Sequence, residues 1–185
     1  MSLGLVERAM DGDREAFSDL TRQSISRLYA IAYLILRDTD AAWDATQEAF
    51  VAAWRDLSAL RDPDRFDAWL HRVLVRACRR HARRERRRRL VETHELQLER
   101  FVGADDIPRV MHRDQLERGF RRLGTDERAI VVLHHLEGFR LAEIGDILGL
   151  PTGTVKSRLH RSLRTMRAAL EADARVITVS GERIA

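Results

Sequence analysis

Leu141-Ala-Glu-Ile-Gly-Asp-Ile-Leu-Gly149, followed at once by Leu150-Pro-Thr-Gly-Thr-Val-Lys-Ser-Arg-Leu-His-Arg161, is the stretch on which the fold turns. The first piece reads as a short amphipathic helix closed by a glycine, the residue that takes positive φ without steric cost. Pro151 then stands near the first turn of a second helix, where its missing N–H costs nothing. Ile144, Ile147, Leu148, Leu150, Val155, Leu159 and Leu163 recur at the spacing that packs two helices across one another. The pattern predicts a helix-turn-helix from Leu141 to about Arg164. Thr152, Thr154, Lys156, Ser157, His160, Arg161 and Arg164 remain on the outer face of its second helix. Short hydroxyls near a helix N-terminus can approach base edges, as can Lys156. The longer cations, Arg158 among them, suit phosphates.

Outward from this motif the chain keeps reading as helix. Asp13 is placed to cap a helix reaching about Arg37, with Phe17, Leu20, Ile25, Leu28, Ile31, Ala32 and Ile35 as its buried stripe. Asp38-Thr39-Asp40 breaks it and opens a second, roughly Ala41 to Leu57. There Trp43, Phe50, Trp54 and Leu57 lie near one face, and Asp44, Gln47, Glu48 and Arg55 on another. After a loop holding Asp62-Pro63-Asp64, Asp64 is a candidate cap for a third helix with an apolar face of Phe66, Trp69, Leu70, Val73, Leu74 and Ala77. No breaker separates that helix from the arginines that follow.

From Arg72 to Arg89 there are ten arginines and one acid, Glu85, a local excess of nine positive charges. The whole chain carries only +4, so the remainder is net acidic by five. Charge concentrated in this way points to an anionic partner at one place rather than to general adhesion. Val91 to Pro108 holds Glu92, Glu95, Glu99, Asp105 and Asp106 with Gly103 and Pro108, and is expected to be an acidic linker. Beyond it, Val110 to Leu123 can be helical with Gly124 as its C-terminal cap. Thr125 or Asp126 should cap the next helix, with Ile130, Val131, Leu133 and Leu136 inward. The segment Thr152 to about Ala172 closes the second unit. The end, residues 175–185, is expected to be a flexible tail.

The expected fold class is therefore all-α, with two small helical domains, residues 1–90 and 110–174, joined by a linker over 91–109. No catalytic apparatus is legible. There is no Gly-rich phosphate loop and no positioned nucleophile and base, so the chain is expected not to be an enzyme and to need no cofactor. Cys78 and His81 stand one turn apart, but the chain has a single cysteine, and no metal site is expected. No apolar run approaches the roughly 20 residues of a bilayer span, and Met1 to Met10 lacks the layout of a signal peptide. Stable membrane insertion is not expected; a cytoplasmic setting is.

Four stretches together resemble the bacterial sigma factors, specifically the small extracytoplasmic-function (ECF) group with regions 2 and 4 only. They are Asp13-Arg-Glu-Ala-Phe17; Asp44-Ala-Thr-Gln-Glu-Ala-Phe50 with Trp54; Phe66-Asp-Ala-Trp-Leu-His-Arg-Val73; and Glu143 to Gly149 with Gly153 to Arg161. The resemblance implies a subunit that binds core RNA polymerase and directs promoter-specific initiation. It implies that Asp44, Gln47 and Glu48 dock on the clamp helices of the β′ subunit. It places Arg61 and Arg65, in the loop from about Ser58 to Arg65, and Arg72, Arg76, Arg79, Arg80 and Arg83 against the −10 element, where a flipped base is captured. Unstacking that base costs a few kcal/mol. Thr152, Thr154, Lys156, Ser157, Arg158, His160, Arg161 and Arg164 would meet the −35 element, and region 4 would touch the β flap. An anti-sigma protein is a further implied partner. The family usually has an asparagine and, four residues on, an aspartate where this chain has Arg76 and Arg80, so base selection there does not carry over. Read without the resemblance, the same helix-turn-helix also fits a stand-alone regulator on an operator, which would leave Asp44, Gln47 and Glu48 without a task. A recombinase would need a catalytic domain for which no residues are found.

Overall fold

Capping residues divide the chain into its elements. In the computed structural model, which describes residues 3–92 and 117–181, every regular element is a helix. After α1 (Leu3–Met10), the Asp13 carboxylate accepts hydrogen bonds from the N–H groups of Glu15 and Ala16 and starts α2 (Arg14–Leu36). Arg37, at φ 61°, turns the chain left-handed, and its N–H closes back on the Tyr33 carbonyl. Asp38 then accepts from Ala41 N–H at 2.8 Å and opens α3 (Thr39–Asp56). Two short 3-10 turns, Leu57–Ala59 and Pro63–Arg65, lead into α4 (Phe66–Glu92). The cap that forms lies ahead of Asp64: the Asp62 carboxylate accepts from Asp64 N–H and caps the 3-10 turn Pro63–Arg65, with Pro63 at its first position.

The first half packs α2, α3 and α4 around Leu20, Leu28, Ile31, Ile35, Phe50, Leu57, Phe66, Leu70 and Leu74. The inner face of α3 is nearly all alanine, with Ala42, Ala45, Ala49 and Ala53 fully buried, so its backbone lies close to both neighbours. Phe50 and Leu57 go inward as expected, whereas Trp43 and Trp54 stay 45% and 39% exposed. These indoles lie at the rim against Tyr29 and Phe17, at 5.8 and 5.0 Å between ring centroids. Small residues had already filled the interior.

The second half begins with the turn α5 (residues 117–121), followed by α6 (Thr125–His135), α7 (Leu141–Leu148) and α8 (Thr152–Gly181). Gly124 is the N-cap of α6, not the end of the preceding helix. Its N–H donates to the Glu127 carboxylate at 2.9 Å, a bond that leaves neither Thr125 nor Asp126 as cap. Ile130, Val131 and Leu133 are buried as expected. Leu136 is 61% exposed, because α6 has ended at His135 and Gly138 turns the chain away at φ 72°. α8 continues past Ala172 to Gly181, so Val176 to Val179 is helical despite its β-branched composition. The linker expected over 91–109 lies outside the described residues beyond Glu92, as does the beginning of the helix expected from Val110, and as do residues 182–185 of the tail.

The halves lie against each other, α6 on α2 and α7 on α4, and one buried apolar cluster runs through both. No helix among the described residues is long and apolar enough to cross a membrane.

Candidate nucleic-acid interface

The turn between α7 and α8 is fixed by backbone. Gly149 takes φ 69°, and its N–H and that of Leu150 both donate to the Gly145 carbonyl. The Pro151 carbonyl then accepts from Thr154 and Val155 at 2.9 and 3.1 Å, so Pro151 stands just ahead of α8 rather than within its first turn. Gly145 was not singled out from sequence, yet the turn depends on it. A Cβ there would stand 2.7 Å from the Leu150 carbonyl oxygen. Ile144, Ile147, Leu148, Val155 and Leu159 are buried between the helices, with Leu150 and Leu163 half-buried.

That packing sets the outer face of α8. Thr152, Lys156, Ser157, His160, Arg161 and Arg164 are exposed and Thr154 is half-buried. The Ser157 hydroxyl donates to the Thr154 carbonyl at 3.0 Å, leaving its oxygen as an acceptor toward the outside. Arg158 is different. It is half-buried and turns back to Asp126, 3.4 Å away.

On α4 the cations Arg72, Arg76, Arg79, Arg80 and Arg83 recur three and four residues apart and so share one side of the helix. Arg76, Arg80 and Arg83 are exposed, as are Arg61 and Arg65 on the segment before the helix. Arg72 is half-buried, and its Nε is enclosed without a hydrogen-bond partner. Arg79 is held within the chain, its Nε 2.9 Å from Asp126 and its Nη1 donating to the Leu148 carbonyl at 2.9 Å. The α3 stripe splits as well. Asp44 and Gln47 are exposed, while the half-buried Glu48 carboxylate meets Arg80 at 3.1 Å and His81 at 3.0 Å. The α3 stripe and the arginine helix are thus adjacent, joined by the Arg80–Glu48 ion pair and the His81–Glu48 contact.

Several residues that hold this arrangement carried no signal in the sequence. Arg27, His71, Arg128 and Glu137 pair across separations of 66 to 110 residues, and no periodicity encodes such partners. The Arg128 guanidinium donates to the Ile35 and Phe120 carbonyls; burial, then the neighbouring Arg37 charge, lowers its pKa. Cys78 is sealed in the core and burial pushes its thiol up to about 12, while His81 faces Glu48. Among the described residues no three potential metal ligands come together.

Residues 20–88 match the family model for sigma-70 region 2, and residues 113–166 that for sigma-70 region 4. The chain is 32% identical over 151 residues to the ECF RNA polymerase sigma factor SigM of Mycobacterium tuberculosis, covering 82% of this chain and 75% of that one. It is 29% identical to the RNA polymerase sigma-H factor of Pseudomonas aeruginosa, covering 90% and 92%. Among solved structures, CnrH in complex with the cytosolic domain of CnrY is 28% identical with a TM-score of 0.65, over 92% of this chain and 97% of that one. The sigma factor RpoE in complex with the anti-sigma factor NepR from Bartonella quintana shares the fold at a TM-score of 0.69 and 22% identity, over 85% and 98%. Region 2 followed by region 4 is the order of the matched sigma-70 models, and in this chain the first spans α4 as far as Arg88 and the second the helix-turn-helix as far as Met166. Within that class, the chain belongs to the ECF RNA polymerase sigma factors. It binds core polymerase and directs promoter-specific initiation of transcription.

Proposed function

We propose a division of labour within that activity. The unit over residues 1–90 docks on the β′ clamp helices through Asp44, Gln47 and Glu48. It meets the −10 element through Arg61, Arg65, Arg72, Arg76, Arg79, Arg80 and Arg83. The unit over 110–174 reads the −35 element with the outer face of α8 and touches the β flap, and the acidic linker over 91–109 threads the polymerase cleft between them. The chain contributes no catalysis of its own and works in the cytoplasm, with an anti-sigma protein as a further partner. The observation that carries this reading is the joint exposure of Lys156, Ser157, His160, Arg161 and Arg164 on one face of α8. Cations on that face of a helix-turn-helix are placed to enter a major groove.

Transcription with purified core polymerase is the test. Lys156→Ala with Arg161→Ala should leave core binding intact and cut −35 discrimination by about tenfold, since a good base contact is worth about 1–3 kcal/mol. Unaltered promoter preference would refute the placement. Asp44→Ala with Gln47→Ala should weaken core binding at unchanged helicity, and so should Gln47→Ala with Glu48→Ala. The first pair spares the Glu48 contacts and is the cleaner probe. A stand-alone operator-binding regulator would show no core binding at all.

A further inference from the structure

One carboxylate of the α3 stripe is turned toward α4. Glu48 Oε1 stands 3.1 Å from both Nε and Nη2 of Arg80, and its other oxygen lies 3.0 Å from Nε2 of His81. The His81 side chain is only 16% exposed, so the carboxylate is steadied from its inner side, whereas Arg80 is 43% exposed on its outer side. Arg76 and Arg83, exposed about one turn to either side, have no carboxylate partner among the described residues. An acid at position 80 would face Glu48 with like charge, so the pair depends on the arginine.

An exposed arginine samples many rotamers, and that freedom is lost when it meets a base. Arg80 has lost part of it beforehand. Its Nε edge faces Glu48, and the Nη1 end of the guanidinium stands outside the pair. A phosphate accepts a cation from many directions, whereas two adjacent acceptors on a base edge require the guanidinium in one plane. Removing Glu48 would leave this surface more positive, so general attraction to DNA would not suffer. The loss would fall on the heading of Arg80.

We propose that Glu48 is a positioning residue for promoter selection. It aims Arg80 at a base edge of the −10 element that offers two adjacent acceptors, while Arg76 and Arg83 serve the phosphates. This rests on the −10 role given to Arg80 above and is separate from any contact of Glu48 with polymerase.

The test uses core polymerase saturated with the full chain or a variant. The template is a promoter used by the parent, randomised over its −10 element, and base preference is read from barcoded transcripts. Arg80→Ala should lower discrimination about tenfold at the base it meets. Glu48→Ala should lower it about threefold at the same base, a modest loss because the pair is part-exposed. In the Arg80→Ala background, Glu48→Ala should change nothing further, as expected of residues that act through one another. Saturation removes differences in core affinity, which is measured apart and reports on docking alone. If Glu48→Ala melts below the assay temperature, Glu48→Gln replaces it and should give a smaller loss of the same kind. A Glu48 variant that discriminates like the parent, while Arg80→Ala does not, overturns the positioning. So does an undiminished effect of the Glu48 variant in the Arg80→Ala background. No loss from Arg80→Ala removes its −10 role, and the positioning falls with it.

Discussion

Cys78 sits in the core on α4 and its thiol is raised to about 12 by burial, so almost none of it is thiolate near neutrality. A thiol reagent at pH 8 should leave the native chain unlabelled and react fully once denaturant opens the core. Rapid native labelling would show that the helix breathes there. Asp13 gives a pH-dependent counterpart. The N–H of Ala16, then Arg8, hold its carboxyl below the ordinary 3.8. A depressed folded pKa means that the cap's contribution is complete above the unfolded value and is lost as pH falls through the folded one. Asp13→Ala should therefore lower Tm at neutral pH, and the gap from the parent should narrow as pH drops below 3.8. Thermal melts across that range decide it.

Among the elements, the helix-turn-helix makes the sharpest demand on one atom. Gly145→Ala drives a methyl to 2.7 Å from a backbone oxygen, which a flexible side chain cannot relieve. Forcing α7 and α8 apart should cost about 1–3 kcal/mol and abolish −35 recognition, read by melting and by footprinting. A fully stable, fully active variant would mean the turn tolerates a wider crossing. Helix existence and capping were legible here because aspartates, glycines and apolar spacing are local signals. Asp13, Asp38 and Gly149 act where their neighbours in sequence place them. Local rules failed where two of them competed, as at Gly124, which suits either end of a helix until Glu127 reaches back to it. They failed too at α3, where Trp43 and Trp54 looked like the interior and alanines, with Phe50, occupied it.

For the whole molecule, the outer face of the candidate site was readable because nothing inside the chain competes for most of it. Lys156, Arg161 and Arg76 are exposed where their helical positions put them. The pairing of Arg79, Arg158 and Glu48 was not, since each partner comes from a distant segment brought close only by the fold. Counterion release offers a measurement at this scale. Duplex affinity should fall steeply with salt, and Arg76→Ala with Arg83→Ala should flatten the log–log slope by about two. A slope that does not move would take α4 off the phosphates.

α4 is one unbroken helix from the buried Phe66 to the exposed Arg88. It has no proline or glycine at which to bend. Yet Leu70, Leu74 and Cys78 anchor it in the core and His81 meets Glu48, so only its last two turns or so, about 10 Å at the ordinary rise, stand clear of the packing. The arginines there ride on a short, stiff boom whose heading is set by the core beneath it.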